Sequence, residues 1–134
     1  MIRFYLLTSA ILLFFIALGY GVAPGLILPQ VLDIKIEHGD LTHIFRAVMG
    51  LYLAMAAFWG AGAFRVGLMR PAVLSEIVFM AGLALGRLLS VVADGWPSPL
   101  LTGGMALEFA LAAWGILLLK TLPVEGKAGA PSTP

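Results

Sequence analysis

Cysteine is absent, charge is scarce and histidine occurs only twice. Without cysteine there is no disulfide exchange, no thiolate nucleophile and no thiolate metal site. Asp, Glu, Lys and Arg together make up 11% of the 134 residues, where a soluble domain carries about 25%. The formal net charge is +1, which gives no footing for nucleic-acid binding. What fills the chain instead is apolar: 61% of residues are hydrophobic and the mean hydropathy is +1.04. Such a composition has lipid as its solvent. Four spans of about 20 residues with short connections account for nearly all of this length and leave no room in it for a soluble domain.

The first apolar run extends from Phe4 to Leu28, between Arg3 and Pro29. A basic residue followed by an apolar stretch resembles a signal peptide, but a signal core spans only about 7–15 residues. A retained helix is therefore expected, kinked or ended near Pro24. Residues 29–42, PQVLDIKIEHGDLT, form the longest polar connection, and Thr42 is placed to cap a second helix over about 43–64. A basic loop, Arg65 to Pro71, leads into a third helix over about 72–93, with Pro71 in its first turn, where proline is tolerated. Asp94-Gly95-Trp96-Pro97-Ser98-Pro99 is a strong turn signal, and a fourth helix follows over about 99–120. The expected architecture is all-α, a four-transmembrane-helix domain over 1–122. Residues 123–134, small, polar and proline-containing, are expected to form a disordered tail.

Lysine and arginine in the connections set orientation. Arg3, Arg65, Arg70, Lys120 and Lys127 share one side, and Lys35 stands alone on the other, in an acidic loop. Both termini are thus expected in the cytoplasm of a bacterial inner membrane.

Arg46, Glu76, Arg87 and Glu108 fall within or at the edge of the spans. A charge at mid-bilayer costs roughly 2.5–3.5 kcal/mol on insertion scales, so each needs a partner or a path to water. With Glu76 at zero and 100° per residue, Arg87 falls at about 20°, Ser90 at about −40° and Asp94 at about 0°. That polar stripe must face protein or water. Arg46 shares its face with Gly50, Ala57 and Gly60, small residues that permit close helix approach, and is expected to point inward too. Depth matches Arg87 with Glu108. The expected site is therefore a buried network of Arg46, Arg87, Asp94 and Glu108, read first as an interhelical clamp and second as a polar ligand site. Glu76, one turn from the cytoplasmic face on this reading and near Arg70, is expected to snorkel.

Catalytic and metal signals are weak. His38 and His43 with Glu37 and Asp40 form the one cluster resembling metal ligands, but the spacing fits no standard zinc or copper site. Ser75 and Ser90 have no His–Asp arrangement to activate them. Trp59, Trp96 and Trp114 lie near expected span ends, where interfacial tryptophan is ordinary. No cofactor is expected, and no enzymatic activity.

The stretches "RAVMGLYLAMAAFWGAGAFR" and "RPAVLSEIVFMAGLALGRLLSVVADGWPSPLL" resemble the DUF4345 family of small bacterial four-helix membrane proteins. The resemblance covers roughly residues 43–120 and is most specific at Gly86-Arg87-Leu-Leu-Ser90 and the Asp94–Pro99 turn, with Arg46, Trp59, Arg70 and Glu108 also matching. It implies the same four-span fold and no assigned activity. The leading expectation is a non-enzymatic membrane protein, free-standing or an accessory subunit of a larger membrane complex or homo-oligomer. The alternative is binding or transport of a small molecule, lipid or quinone through a polar site in the outer half of the bundle.

Overall fold

The computed structural model describes residues 1–33, 35–36 and 39–123. These form five helices in the order α1 (Ile2–Gly21), α2 (Pro24–Val31), α3 (Gly39–Phe64), α4 (Val66–Asp94) and α5 (Pro99–Leu119). Four of them, all but α2, are long and apolar enough to cross a membrane. They are apolar on every side, because one face packs against neighbouring helices and the other meets lipid, and neither favours polar residues. Phe4, Phe15 and Val78 lie on the outward faces. Inside are Leu6, Leu13, Ala17, Trp59, Ala63, Ala72 and Val73.

The expected first helix is two helices. Pro24 offers no N–H and displaces the residue before it from the α region, and Ala23 accordingly sits at φ −141, ψ 65. The Ala23 carbonyl then accepts from the amides of Leu26 and Ile27 and starts α2. The expected loop from Arg65 to Pro71 is also helical. Arg65 alone is extended, at φ −108 and ψ 113, and α4 begins at Val66 with Pro71 more than a turn inside it. At that position proline removes one helical hydrogen bond, the one its N–H would have made to the Gly67 carbonyl, and α4 continues through it. Likewise α3 begins at Gly39, so Thr42 lies inside its first turn rather than before it.

α1 packs chiefly on α3, α4 on α5, and α3 joins the two pairs through α4. At Gly62 a Cβ would overlap the Cβ of Ala72, so the α3–α4 contact depends on the bare backbone there. Between α4 and α5, Gly95 adopts φ 94, a conformation open to glycine and strained for other residues. At the opposite end, Arg70 Nη1 donates to the Leu122 carbonyl at 3.3 Å and ties the end of α5 to the start of α4. The expectation of a disordered tail concerns mostly residues 124–134, which lie outside the described residues.

Candidate functional site

α4 runs toward the Asp94–Pro99 turn and α5 runs back from it. At 1.5 Å per residue Arg87 lies about 10 Å before that turn and Glu108 about 13 Å beyond it, so the two come level. The structure brings them together. Arg87 Nε donates to Glu108 Oε1 and Oε2, each at 3.0 Å, and the side chains are 26% and 11% exposed. This is the one ion pair among the described residues. A guanidinium carries five N–H donors, and among the described residues its hydrogen bonds to Glu108 use Nε alone, which leaves the Nη donors for the neighbouring Tyr20 hydroxyl or another acceptor. Tyr20 of α1 stands beside the guanidinium.

Arg87 and Glu108 belong to the wall of a cavity of about 310 Å³. That size falls at the lower end of the roughly 300–1,000 Å³ of small-ligand pockets. The rest of the wall is mainly aliphatic. It includes Leu12, Leu13 and Ile16 of α1, Ile27 and Leu28 of α2, Met80 and Leu83 of α4, and Leu107 and Leu111 of α5, with Tyr20 and Tyr52. Arg87 also borders a second, more open hollow of about 550 Å³ that follows Gly86, Ser90 and Asp94 to Trp96 and Pro97 at the turn. An aliphatic chamber and a more open hollow therefore share Arg87 in their walls.

Arg46 is not part of this arrangement. Taking Tyr52 as zero, the buried residues Ala56, Trp59 and Ala63 fall at about 40°, −20° and 20°, whereas Arg46 falls at about 120°. It is exposed, as are Gly50 and Ala57 on the same face, and a Cβ on Gly50 or Gly60 would meet nothing. The small-residue face of α3, expected to pack inward, is turned out of the bundle. Asp94 is exposed at the end of α4 and, among the described residues, hydrogen-bonds to no side chain. It shares the open hollow with Arg87 without pairing to it.

Two further expectations give way, the first because α4 starts earlier than expected. Glu76 lies ten residues after Val66, about 15 Å along the helix, and is fully buried rather than snorkelling. Trp59 is fully buried rather than interfacial. Its Nε1 donates to Ser75 Oγ at 3.0 Å, and Ser75 in turn donates to the Ala72 carbonyl at 2.8 Å. Tyr5 and Ser9 went unremarked in the sequence. Both are buried on α1, and the Tyr5 hydroxyl donates to the Leu111 carbonyl of α5 at 2.9 Å. Their i, i+4 spacing on a mainly apolar helix was the available signal, since it puts both on one face.

Of the histidine cluster, Glu37 and His38 lie outside the described residues; Asp40 and His43 are exposed near the start of α3. Among the described residues, no three His, Asp or Glu side chains converge as metal ligands.

A family model described as a domain of unknown function, DUF4345, matches residues 1–119. The match takes in α1 and α2 as well as the later helices. No curated protein and no solved structure matches the chain.

Proposed function

This chain belongs to the DUF4345 family, and on that footing we propose that it is a non-enzymatic integral membrane protein that holds an amphipathic small molecule. The observation that carries this reading is the position of Arg87. An aliphatic cavity suits an acyl or isoprenoid chain, as in a lipid or a quinone. The unused Nη donors at its wall suit the oxygen acceptors of a head group, and a charge-assisted hydrogen bond there fixes orientation. Glu108 cancels the charge of Arg87, so the site favours a neutral or zwitterionic head over a free dianion.

The test is native mass spectrometry of protein extracted in mild detergent, with the released molecule identified. Gly104 lines the cavity, and a Cβ there would meet no atom within 4 Å. Gly104→Leu should therefore fill space without disturbing the helices. The wild type is expected to carry a co-purifying amphiphile and the variant to lose it while melting at the same temperature. Equal ligand occupancy in both would remove the cavity from the proposal.

A second reading, an accessory subunit or homo-oligomer, draws on the outward face of α3 with Arg46, Gly50 and Ala57. Small residues facing lipid admit another helix closely. In the same spectra this reading requires a second chain, of this or another protein, at fixed stoichiometry.

The proposed setting is a bacterial inner membrane with both termini in the cytoplasm, by the excess of Arg and Lys near the α3–α4 junction and the chain ends. A fluorescent-protein fusion after residue 134 should glow and an alkaline-phosphatase fusion there should be inactive. The reverse result would invert the orientation.

A further inference from the structure

Glu76 stands in the half of the bundle nearer the termini, away from the Arg87 cavity, and the inference drawn from it does not rest on the proposed ligand. It is fully buried, and among the described residues neither carboxyl oxygen has a hydrogen-bond partner. Ser9 Oγ, also fully buried, is likewise unpartnered. Ser9 and Tyr5 of α1 are the polar neighbours of the carboxyl, but Tyr5 has committed its proton to the Leu111 carbonyl.

Among the described residues no positive charge pairs with the group. Arg70 lies six residues earlier, about 120° away around the helix, and donates to the Leu122 carbonyl. Arg87 lies about 16 Å further along the axis and is bound to Glu108. On α3 the buried Trp59 indole is committed to Ser75. Among the described residues α5 offers a backbone carbonyl, through Tyr5, and no titratable side chain here. An ionised carboxylate in this setting would be buried without solvent or counter-ion, with the Ser9 hydroxyl as its one uncommitted donor, a state from which a side chain escapes by taking up a proton.

We propose that Glu76 is a proton-binding site within the membrane, held as the neutral carboxylic acid with its O–H donating to Ser9 Oγ. The added proton removes the charge and gives two of the three unpartnered atoms, the protonated carboxyl oxygen and Ser9 Oγ, a partner in each other, and the Ser9 hydroxyl can then donate to a neighbouring acceptor. The donor set suits a proton better than a metal cation. Hard cations gather about six or more oxygens, and here one carboxyl and one free hydroxyl are present beside a tyrosine already engaged. The step is a plain protonation: the carboxylate gains a proton and becomes an acid, with no other bond made or broken.

Infrared spectroscopy tests this on the full chain reconstituted in phospholipid vesicles at neutral pH. The wild type should show a carboxylic-acid C=O band, distinct from the carboxylate bands, that Glu76→Gln removes. Raising the pH should convert that band to carboxylate with release of about one proton per chain. Ser9→Ala leaves the acid in place but deletes its acceptor, so the band should move in frequency and persist. That second variant, with the wild-type titration, decides the matter even if the glutamine variant folds poorly. Carboxylate bands for Glu76 at neutral pH, or bands that depend on added sodium, overturn the proposal. A band indifferent to Ser9→Ala overturns the assigned hydrogen bond.

Discussion

Arg87→Leu and Glu108→Leu should each destabilise the bundle strongly, and the double variant should be more stable than either. Nε of Arg87 contacts both oxygens of Glu108 at 3.0 Å, and the Glu108 side chain is 11% exposed. Deleting one partner strands the other charge, at a typical cost of about 3–5 kcal/mol for buried pairs. Arg87 retains 26% exposure, which permits some relief by solvent and places Glu108→Leu nearer the top of that range. Arg87→Lys keeps the charge but not the planar fork, and should fall between wild type and Arg87→Leu. Thermal or denaturant unfolding in one detergent gives the three values needed for a double-mutant cycle. Additive effects would mean that the two residues do not stabilise one another, and the clamp would be discarded.

Trp59→Ala should cost about 3–5 kcal/mol, the range for emptying a large aromatic site. Trp59 is fully enclosed, meets Phe79 edge-on with centroids 5.5 Å apart, and donates to Ser75. In lipid the loss is one of packing and hydrogen bonding rather than of water-driven burial. Trp59→Phe keeps most of the packing and leaves Ser75 still bonded to Ala72, so its cost should be closer to about 1 kcal/mol. Unfolding of both variants against wild type separates the two contributions. An alanine variant as stable as the phenylalanine one would place the tryptophan outside the core.

Four spans were legible because nothing but lipid suits runs of this hydropathy, and the turn residues from Asp94 to Pro99 punctuate them. The Arg87–Glu108 pair was legible for a geometric reason. Antiparallel neighbours joined by a short turn have their depths set by counting from that turn. Helix starts were less legible, because Pro71 reads as a first-turn residue whether the helix begins just before it or a turn earlier. That ambiguity moved Glu76 from the expected edge of a span to the interior of the bundle. Trp59 was misplaced for a different reason: α3 ends at Phe64 as expected, and nearness to a helix end does not say which face is inward. Arg46 failed for another reason. Glycine and alanine permit close packing, but lipid accepts the same residues, so the pattern on α3 does not say which side is inward. Only the third dimension brings Tyr5 and Ser9 to Glu76.

Synthesis order gives the α4–α5 pairing a further meaning. A ribosome delivers the chain from its first residue onward, so α4 leaves it while Glu108, 21 residues behind Arg87, is still inside the exit tunnel. During that interval the arginine has no carboxylate. The mean hydropathy of α4, 1.8 over its best window, has to outweigh the guanidinium at the translocon, or α4 has to wait and enter together with α5 as a hairpin folded about Gly95. α1 has the opposite history. It carries no charge deep in its span and inserts freely, then waits for α3, its main neighbour, to be made.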